Sequence, residues 1–252
     1  MISAILFDFG GTLDSDGQHW LDRFYRIYDQ IGLSQTPRER IKEAFYWADE
    51  RLELDFSIRT AGFRPMMERH VQLQFQKLGL KDPKREAEAA AAFYRPCEKV
   101  LHRNRRILER LHLAKLRLGV LSNFYGNVGT LCEEAGLKPF LRVILDSVIV
   151  GLKKPDPKFF QLALEGVKAP ASETAFVGDS FERDIVPAKA LGMTTFWMTS
   201  EKSRIPPDPS KVDYILHSLE DLPRILQHHP SPSSSPLKGE EFQTPSPFKG
   251  EG

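Results

Sequence analysis

Residues capable of chemistry stand at four places in the sequence, each at or soon after a short apolar run. These places are Asp8 after "AILF", the pair Ser122 and Asn123 after "LGVL", Lys154 in "GLKKPDP", and Asp179 with Asp184 in "GDSFERD". A phosphoryl group in transfer spreads negative charge over its oxygens. A lysine, backbone N–H groups and a hard cation such as Mg²⁺ held by carboxylates can stabilise that charge. The combination favours phosphoryl transfer, provided that the fold brings the four places together.

The elements between these residues predict how they meet. From about residue 100 onward, apolar strand-like runs such as "LRLGVLSNF" and "TAFVGD" alternate with amphipathic helical runs such as "PKFFQLALEGV". This alternation is typical of a parallel sheet with right-handed crossovers, in which ligands bind at the carboxyl ends of the strands. We therefore predict an α/β fold with a three-layer, Rossmann-like parallel sheet core and the polar residues along one sheet edge.

The stretch after the first strand breaks this alternation. Segments such as "RERIKEAFYWADERLEL" repeat apolar residues every three or four positions, as amphipathic helices do. We predict a core made of residues 1–15 and 99–228, with a helical domain, here called the cap, inserted at residues 16–98. Residues 229–252 are rich in Pro, Ser and Gly and poor in apolar side chains, which predicts a disordered tail.

The composition disfavours several classes of partner. Thirty-five basic and 34 acidic residues give a net charge of +1, which offers no general attraction for nucleic acid. No stretch has the length and apolar character of a membrane span or a leader. Only Cys97 and Cys132 occur, without metal-ligand spacing, as expected in a reducing compartment. We expect a cytoplasmic monomer or homodimer that acts on a small phosphorylated substrate, without nucleic acid or membrane partners.

In their order, the four motifs resemble those of the haloacid dehalogenase superfamily, in the branch of phosphatases with a helical cap after the first motif. Each motif alone has an ordinary explanation, such as a turn or a helix cap; the order of all four carries the resemblance, over residues 1 to about 225. It implies that Asp8 is the nucleophile that forms an aspartyl-phosphate and that Lys154 balances charge, with Ser122 as a further catalytic residue. The substrate-binding positions it implies are Gly11, Thr12, Ser122, Asn123 and Lys154.

The same resemblance implies a Mg²⁺ cofactor. Asp179 matches the acid that ligates the metal, and Asp184 matches a second acid that binds it directly or through water. The carboxylate of Asp8 and the backbone carbonyl of Gly10 are the remaining ligands that the pattern implies. All four positions fall at the predicted sheet edge.

Gly10 departs from the pattern. The position normally holds a second Asp, which protonates the leaving oxygen and later deprotonates the attacking water. Glycine keeps the backbone carbonyl but loses this general acid–base group, whose contribution is typically about 10² to 10⁴ in rate. Asp14 and Asp16 are the nearby carboxylates that could replace it.

Three functions stay open from the sequence. The first is a Mg²⁺-dependent phosphatase, slow if nothing replaces the missing acid, and the second is a weak or inactive protein that binds a phosphorylated ligand or partner. The third is a phosphonate-cleaving hydrolase that uses a Schiff-base lysine of the cap. Dehalogenation is disfavoured, because dehalogenases work without Mg²⁺ and do not need the acids Asp179 and Asp184. The candidate cap lysines are Lys42, Lys77, Lys81, Lys84 and Lys99.

Overall fold

The computed structural model describes residues 1–228, and the predicted tail at 229–252 lies outside the described residues. Six strands form one sheet in the order β3-β2-β1-β4-β5-β6, and every neighbouring pair is parallel. The strands are β1 (Ala4–Phe7), β2 (Arg117–Ser122), β3 (Leu141–Asp146), β4 (Thr174–Gly178), β5 (Thr194–Met198) and β6 (Tyr214–Leu216). The predicted α/β class with a parallel, Rossmann-like sheet is confirmed.

The central strand β1 shows why the core has three layers. All four of its residues are buried, and successive side chains of a strand point to opposite faces. Ile5 and Phe7 join one apolar cluster, whereas Ala4 and Leu6 join a second cluster on the other face. The sheet is therefore covered on both faces, as parallel sheets require.

Helices cover both faces and fill the insertion between β1 and β2. Helix α7, which packs on β2 and β3, begins with a typical cap, since the Asp156 carboxylate accepts a hydrogen bond from the backbone N–H of Lys158 and Pro157 occupies the first turn. The helices are α1 (Trp20–Gln30), α2 (Arg38–Leu54), α3 (Phe63–Leu78), α4 (Pro83–Leu113), α5 (Val128–Glu134), α6 (Ser147–Val150), α7 (Pro157–Val167), α8 (Val186–Ala190) and α9 (Leu222–His228).

Helices α1 to α4 pack against one another and form the predicted helical insertion. Their apolar interior is continuous with the cluster under one face of the sheet. Helix α4 runs without a break for 31 residues, so the predicted boundary between residues 98 and 99 falls inside one helix. The alanine-rich run before Pro96 favours the helix strongly, and the apolar period continues beyond the proline. Helix α4 also packs against β2 and so ties the insertion to the core.

None of the helices within residues 1–228 combines the length and the apolar character that a membrane span requires.

Candidate active site

The site lies where the strand order reverses. The chain runs outward from β1 through β2 to β3, and then returns to the other side of β1 with β4, which opens a crevice at the carboxyl ends of β1 and β4. Asp8 directly follows β1, and its backbone N–H donates to the Val177 carbonyl of β4 at 2.9 Å. Asp179 directly follows β4. The sheet topology thus brings together two acids that are 171 positions apart in the sequence.

Lys154 sits between two of the acids and joins them. Its Nζ lies 2.8 Å from Oδ1 of Asp8 and 2.6 Å from Oδ1 of Asp184, and all three side chains are buried. Burial lowers the pKa of Lys154, but the carboxylates of Asp184 and Asp8 outweigh burial and leave the pKa above its usual value. The lysine therefore stays charged and neutralises part of the acidic cluster.

Ser122 and Asn123 follow β2 at the same edge but make different contacts. The Ser122 hydroxyl donates to Oδ1 of Asp8 at 2.7 Å. The Asn123 side chain instead holds the backbone of Lys154, since its Nδ2 donates to the Lys154 carbonyl at 3.0 Å and its Oδ1 accepts from the Lys154 N–H at 2.8 Å. In this arrangement the Asn123 amide fixes the lysine, a function that the sequence pattern did not indicate.

Three carboxylates form a group that fits a hard divalent cation. One oxygen each of Asp8, Asp179 and Asp184 lies within 4.8 Å of the other two. Burial and then the neighbouring carboxylates of Asp8 and Asp184 raise the pKa of Asp179 well above its usual value, because the three negative charges repel one another. Carboxylate oxygens are the ligands that Mg²⁺ prefers, and a cation here would relieve this repulsion. The donor set therefore fits the predicted metal.

Gly10 and Gly11 lie side by side and differ in what they require. Gly11 has a φ of +84°, and a Cβ there would collide with the Asp179 carboxylate, so the close approach of loop and acid needs glycine. Gly10 has an ordinary extended backbone, with φ −73° and ψ 128°. A Cβ on Gly10 would lie 3.4 Å from Cε2 of Trp20, which is normal van der Waals contact. Nothing in the backbone therefore demands glycine at position 10.

Asp14, one of the two carboxylates that could replace the acid at position 10, is bound to other partners. It is fully buried, and its Oδ1 accepts from the Gly11 N–H and the Ser15 hydroxyl, both at 2.7 Å. Its Oδ2 accepts from Nε1 of Trp20 at 2.7 Å, which anchors the indole beside Gly10. Burial raises the pKa of Asp14, although Ser15 and the nearby Arg23 oppose that shift. Among residues 1–228, those that line the pocket over Asp8 do not include Asp14.

Asp16 is also occupied elsewhere. Its Oδ2 lies 2.5 Å from the Arg103 guanidinium of α4 and accepts from the Ser218 hydroxyl, while its Oδ1 accepts from the Leu219 N–H. Asp16 therefore ties the loop after β1 to α4 and to the segment before α9. Like Asp14, it is absent from the described pocket lining, and the hypothesis that either residue supplies the acid is not supported by its position.

Gly11 and Thr12 are buried outside the same pocket. The Gly11 N–H is occupied by Asp14, and Thr12 is fully buried. The pocket lining within the described chain comprises neither residue. The structure thus gives Gly11 a packing role beneath Asp179, and their binding of substrate stays a prediction.

The cap side of the pocket contains residues that the sequence analysis missed. Aromatic rings of Trp20, Phe45, Tyr46 and Phe124 line it together with polar groups of both domains. Only the docking of the helical insertion brings its own residues, such as Trp20 and Phe45, near Asp8, so no local sequence motif could reveal them. The core residues of this set instead follow β2 and β4, next to the motifs that the sequence analysis singled out. The polar groups are His19, Asp49, Tyr125, Ser180 and Arg183.

His19 is held as a neutral donor. Its Nδ1 accepts a hydrogen bond from the Leu21 N–H at 3.2 Å at the start of α1, so the proton of the neutral ring lies on Nε2. Burial, followed by the positive charge of Arg183, lowers the pKa of His19 below its usual value. The imidazole can donate a hydrogen bond through Nε2, but it is not positioned as a charged acid at neutral pH.

Known proteins resemble this chain in sequence. Haloacid dehalogenase-like hydrolase domain-containing protein 3 of Bos taurus is 30% identical over 163 residues, which cover 62% of this chain and 64% of that protein. Glyceraldehyde 3-phosphate phosphatase of Methanocaldococcus jannaschii is 37% identical over 93 residues, which cover 37% of this chain and 41% of that protein. The chain therefore spans less than two thirds of the length of these relatives.

The fold is shared with solved structures at low sequence identity. A crystal structure of a dehalogenase superposes with a TM-score of 0.61 at 19% identity, covering 90% of this chain and 98% of that one. Residues 2–192 match the model of a family described as haloacid dehalogenase-like hydrolase. Because this match spans most of the chain and contains all four motifs, the chain belongs to the haloacid dehalogenase-like hydrolase family.

Proposed function

We propose that the protein is a Mg²⁺-dependent phosphatase that hydrolyses a small phosphorylated metabolite through an aspartyl-phosphate at Asp8. One observation carries the proposal: the charged cluster in which Lys154 bridges Asp8 and Asp184, with Asp179 beside them. The pocket above it is lined by residues of both the core and the cap.

In this proposal each residue of the cluster has a distinct task. A carboxylate oxygen of Asp8 attacks the phosphorus, and the ester oxygen leaves with the bonding electron pair. Lys154 and the Ser122 hydroxyl, both within 2.8 Å of Oδ1 of Asp8, orient the nucleophile and can donate to phosphoryl oxygens. The acids Asp8, Asp179 and Asp184 with the Gly10 carbonyl would hold Mg²⁺, which when bound supplies positive charge to the phosphoryl oxygens.

The leaving group receives less help than the phosphoryl group. No carboxylate projects from position 10, and both nearby candidates, Asp14 and Asp16, are bound to other partners. The Trp20 indole borders the space instead. We therefore propose a slow enzyme whose rate depends strongly on how readily the leaving oxygen departs without a proton.

The alternatives have less support. The five candidate lysines for phosphonate cleavage are all exposed, and no lysine of the cap lines the described pocket. The likeness to a dehalogenase is at 19% identity and concerns the fold alone, and the acids Asp179 and Asp184 are those that dehalogenation does not need. A catalytically inactive protein that binds a phosphorylated ligand is the second candidate, favoured by Gly10.

Trapping of the nucleophile separates the two candidates. Beryllium fluoride with Mg²⁺ should form an adduct on Asp8, detected by ¹⁹F NMR, and Asp8→Asn should form none. In parallel, a panel of phosphorylated metabolites should reveal Mg²⁺-dependent release of phosphate. Adduct formation without turnover of any substrate would favour the inactive binder, and absence of both would remove the phosphatase proposal.

A further inference from the structure

Asp49 is a carboxylate of the cap that lines the pocket above Asp8. It lies on α2, and its side chain is 25% exposed. Two donors hold it, and both bind Oδ1. The Tyr125 hydroxyl donates from the core loop after β2, and Nε2 of His70 lies 3.0 Å away on α3. Among the contacts within residues 1–228, neither of these donors reaches Oδ2.

A buried chain of hydrogen bonds fixes this arrangement. The Tyr28 hydroxyl donates to Oε1 of Gln74 at 3.2 Å, so Nε2 of Gln74 donates to Nδ1 of His70 at 2.8 Å. With Nδ1 accepting, the His70 proton lies on Nε2 and is donated to Asp49. The His70 ring is fully buried and stacks on Phe24 with centroids 5.4 Å apart. The network holds the Asp49 carboxylate in one orientation.

Tyr125 reinforces this orientation from the core. Burial and then the Asp49 carboxylate raise the pKa of the Tyr125 hydroxyl well above its usual value, so the hydroxyl keeps its proton and donates. Asp49 therefore offers its other oxygen, Oδ2, as a fixed acceptor in a pocket whose neighbouring walls are the rings of Phe45 and Tyr46. Such a group favours a ligand that brings a hydrogen-bond donor and disfavours one that brings a second negative charge.

We propose that Asp49 selects the leaving group of the substrate. Its carboxylate accepts a hydrogen bond from a hydroxyl or amine on the leaving group, and it repels a leaving group that carries a carboxylate. The inference deepens, and rests on, the proposed phosphoryl site at Asp8. The substrate class is therefore a phosphate monoester of a neutral, hydroxyl- or amine-bearing small molecule.

Binding measured without turnover tests the selection. In an Asp8→Asn background with Mg²⁺, calorimetry compares three esters of one chain length: glycerol 1-phosphate, propyl phosphate and 3-phosphoglycerate. We expect glycerol 1-phosphate to bind about 10-fold tighter than propyl phosphate, the size of a hydrogen bond to a charged group, and 3-phosphoglycerate to bind most weakly.

Changing Asp49 should alter the order of the three esters. Adding Asp49→Asn places an amide N–H₂ where Oδ2 stands, so the preference for glycerol 1-phosphate over 3-phosphoglycerate should fall by at least about 10-fold. Adding Asp49→Ala should remove the preference without reversing it. The control is Glu50→Gln, which removes the adjacent exposed carboxylate of α2 and should leave the order unchanged.

The remaining outcomes separate the failure of this inference from the failure of the proposed function. If the Asp49→Asn and Asp49→Ala variants lose the same affinity for all three esters, Asp49 is a structural tie between cap and core. If these variants bind the three esters in the unchanged order, Asp49 takes no part in recognition. If the order holds as expected but the parent protein hydrolyses no ester, the phosphatase proposal fails and the selection by Asp49 stands. If the Asp8→Asn protein binds neither the esters nor inorganic phosphate, both proposals fall together.

Discussion

The two ends of the pocket are built by different parts of the molecule and are unequally complete. The phosphoryl end comes from the strand ends of the core, where Lys154 lies within 2.8 Å of both Asp8 and Asp184. The leaving-group end comes from the loop after β1 and the cap, where Gly10 faces the Trp20 indole. In the proposed phosphatase, the groups that would receive a phosphoryl group are in place, and position 10 lacks the carboxylate that would protonate the leaving oxygen.

The two adjacent glycines show that the backbone does not prevent a carboxylate at the leaving-group end of the pocket. Gly11 is required, because a side chain there would strike Asp179 in a left-handed turn. Gly10 has room for a Cβ and an extended backbone that any residue adopts.

The largest effect is expected at the phosphoryl end. Asp8→Asn should reduce hydrolysis of every substrate to background, because an amide cannot act as the attacking carboxylate. Steady-state phosphate release measures this change, with Asp22→Asn on the exposed face of α1 as a matched control that should behave like the parent. Activity near the parent level in Asp8→Asn would remove Asp8 as the nucleophile.

The next effect concerns stability at the leaving-group end. Asp14→Ala should lower the free energy of unfolding by about 3 kcal/mol, since it leaves the Trp20 Nε1–H and the Gly11 N–H without their buried acceptor and removes the negative charge near Arg23. Urea unfolding gives the value. In the folded fraction, the dependence of rate on the leaving group should stay that of the parent. A loss of that dependence together with full stability would show that Asp14 moves protons.

The next prediction concerns Mg²⁺ affinity at the phosphoryl end of the pocket. Asp179→Asn removes one carboxylate of the three-acid group, and we expect Mg²⁺ affinity to fall by about 100-fold. Isothermal calorimetry provides the measurement, and Glu182→Gln, an exposed acid of the same loop, is the control. Equal affinities of the Asp179→Asn variant and the parent would exclude Asp179 as a ligand.

A moderate gain is expected when the missing acid is supplied. Gly10→Asp should raise steady-state turnover of alkyl phosphates by about 10-fold, less than the full general-acid effect because the surrounding loop does not orient the new carboxylate. Gly10→Ala makes the same contact between Cβ and Trp20 without the carboxyl group, so it should stay near the parent level. If both variants change alike, the effect comes from packing against the indole and the missing-acid account loses its support.

The smallest effect concerns His19 and pH. Burial and the charge of Arg183 lower the pKa of His19 in the folded protein. Below the usual histidine pKa of about 6.5, the unfolded chain therefore binds a proton at His19 more readily than the folded protein does. Stability is therefore lost as pH falls from 7 to 5. His19→Asn keeps a helix-capping side chain without the titration, and its melting temperature should fall less over this range. Identical slopes for both proteins would assign the loss to other groups.

The sequence was sufficient to predict the core and the acids at its strand ends. Short apolar strands are visible locally in the sequence, and the rule that ligands bind at the carboxyl ends of parallel strands is general. The sequence was insufficient for the carboxylates Asp14 and Asp16, since whether a loop side chain turns to the pocket or to a buried indole depends on packing. Asn123 lines the pocket, and its predicted contact with the phosphoryl group stays a prediction; the hold of its amide on the Lys154 backbone is a contact that the sequence did not indicate. Asp49 could not be found at all, because only the docking of the cap brings it to the pocket.

The central claim, a complete phosphoryl end beside an incomplete leaving-group end, is tested most directly by pre-steady-state kinetics with 4-nitrophenyl phosphate and Mg²⁺. The aryl leaving group departs without a proton, while hydrolysis of the aspartyl-phosphate still lacks its base. The account predicts a burst of nitrophenol approaching one equivalent per active site, followed by a slow steady state, and rates that fall steeply as the leaving-group pKa rises. A burst-free time course with rates insensitive to the leaving group would contradict it.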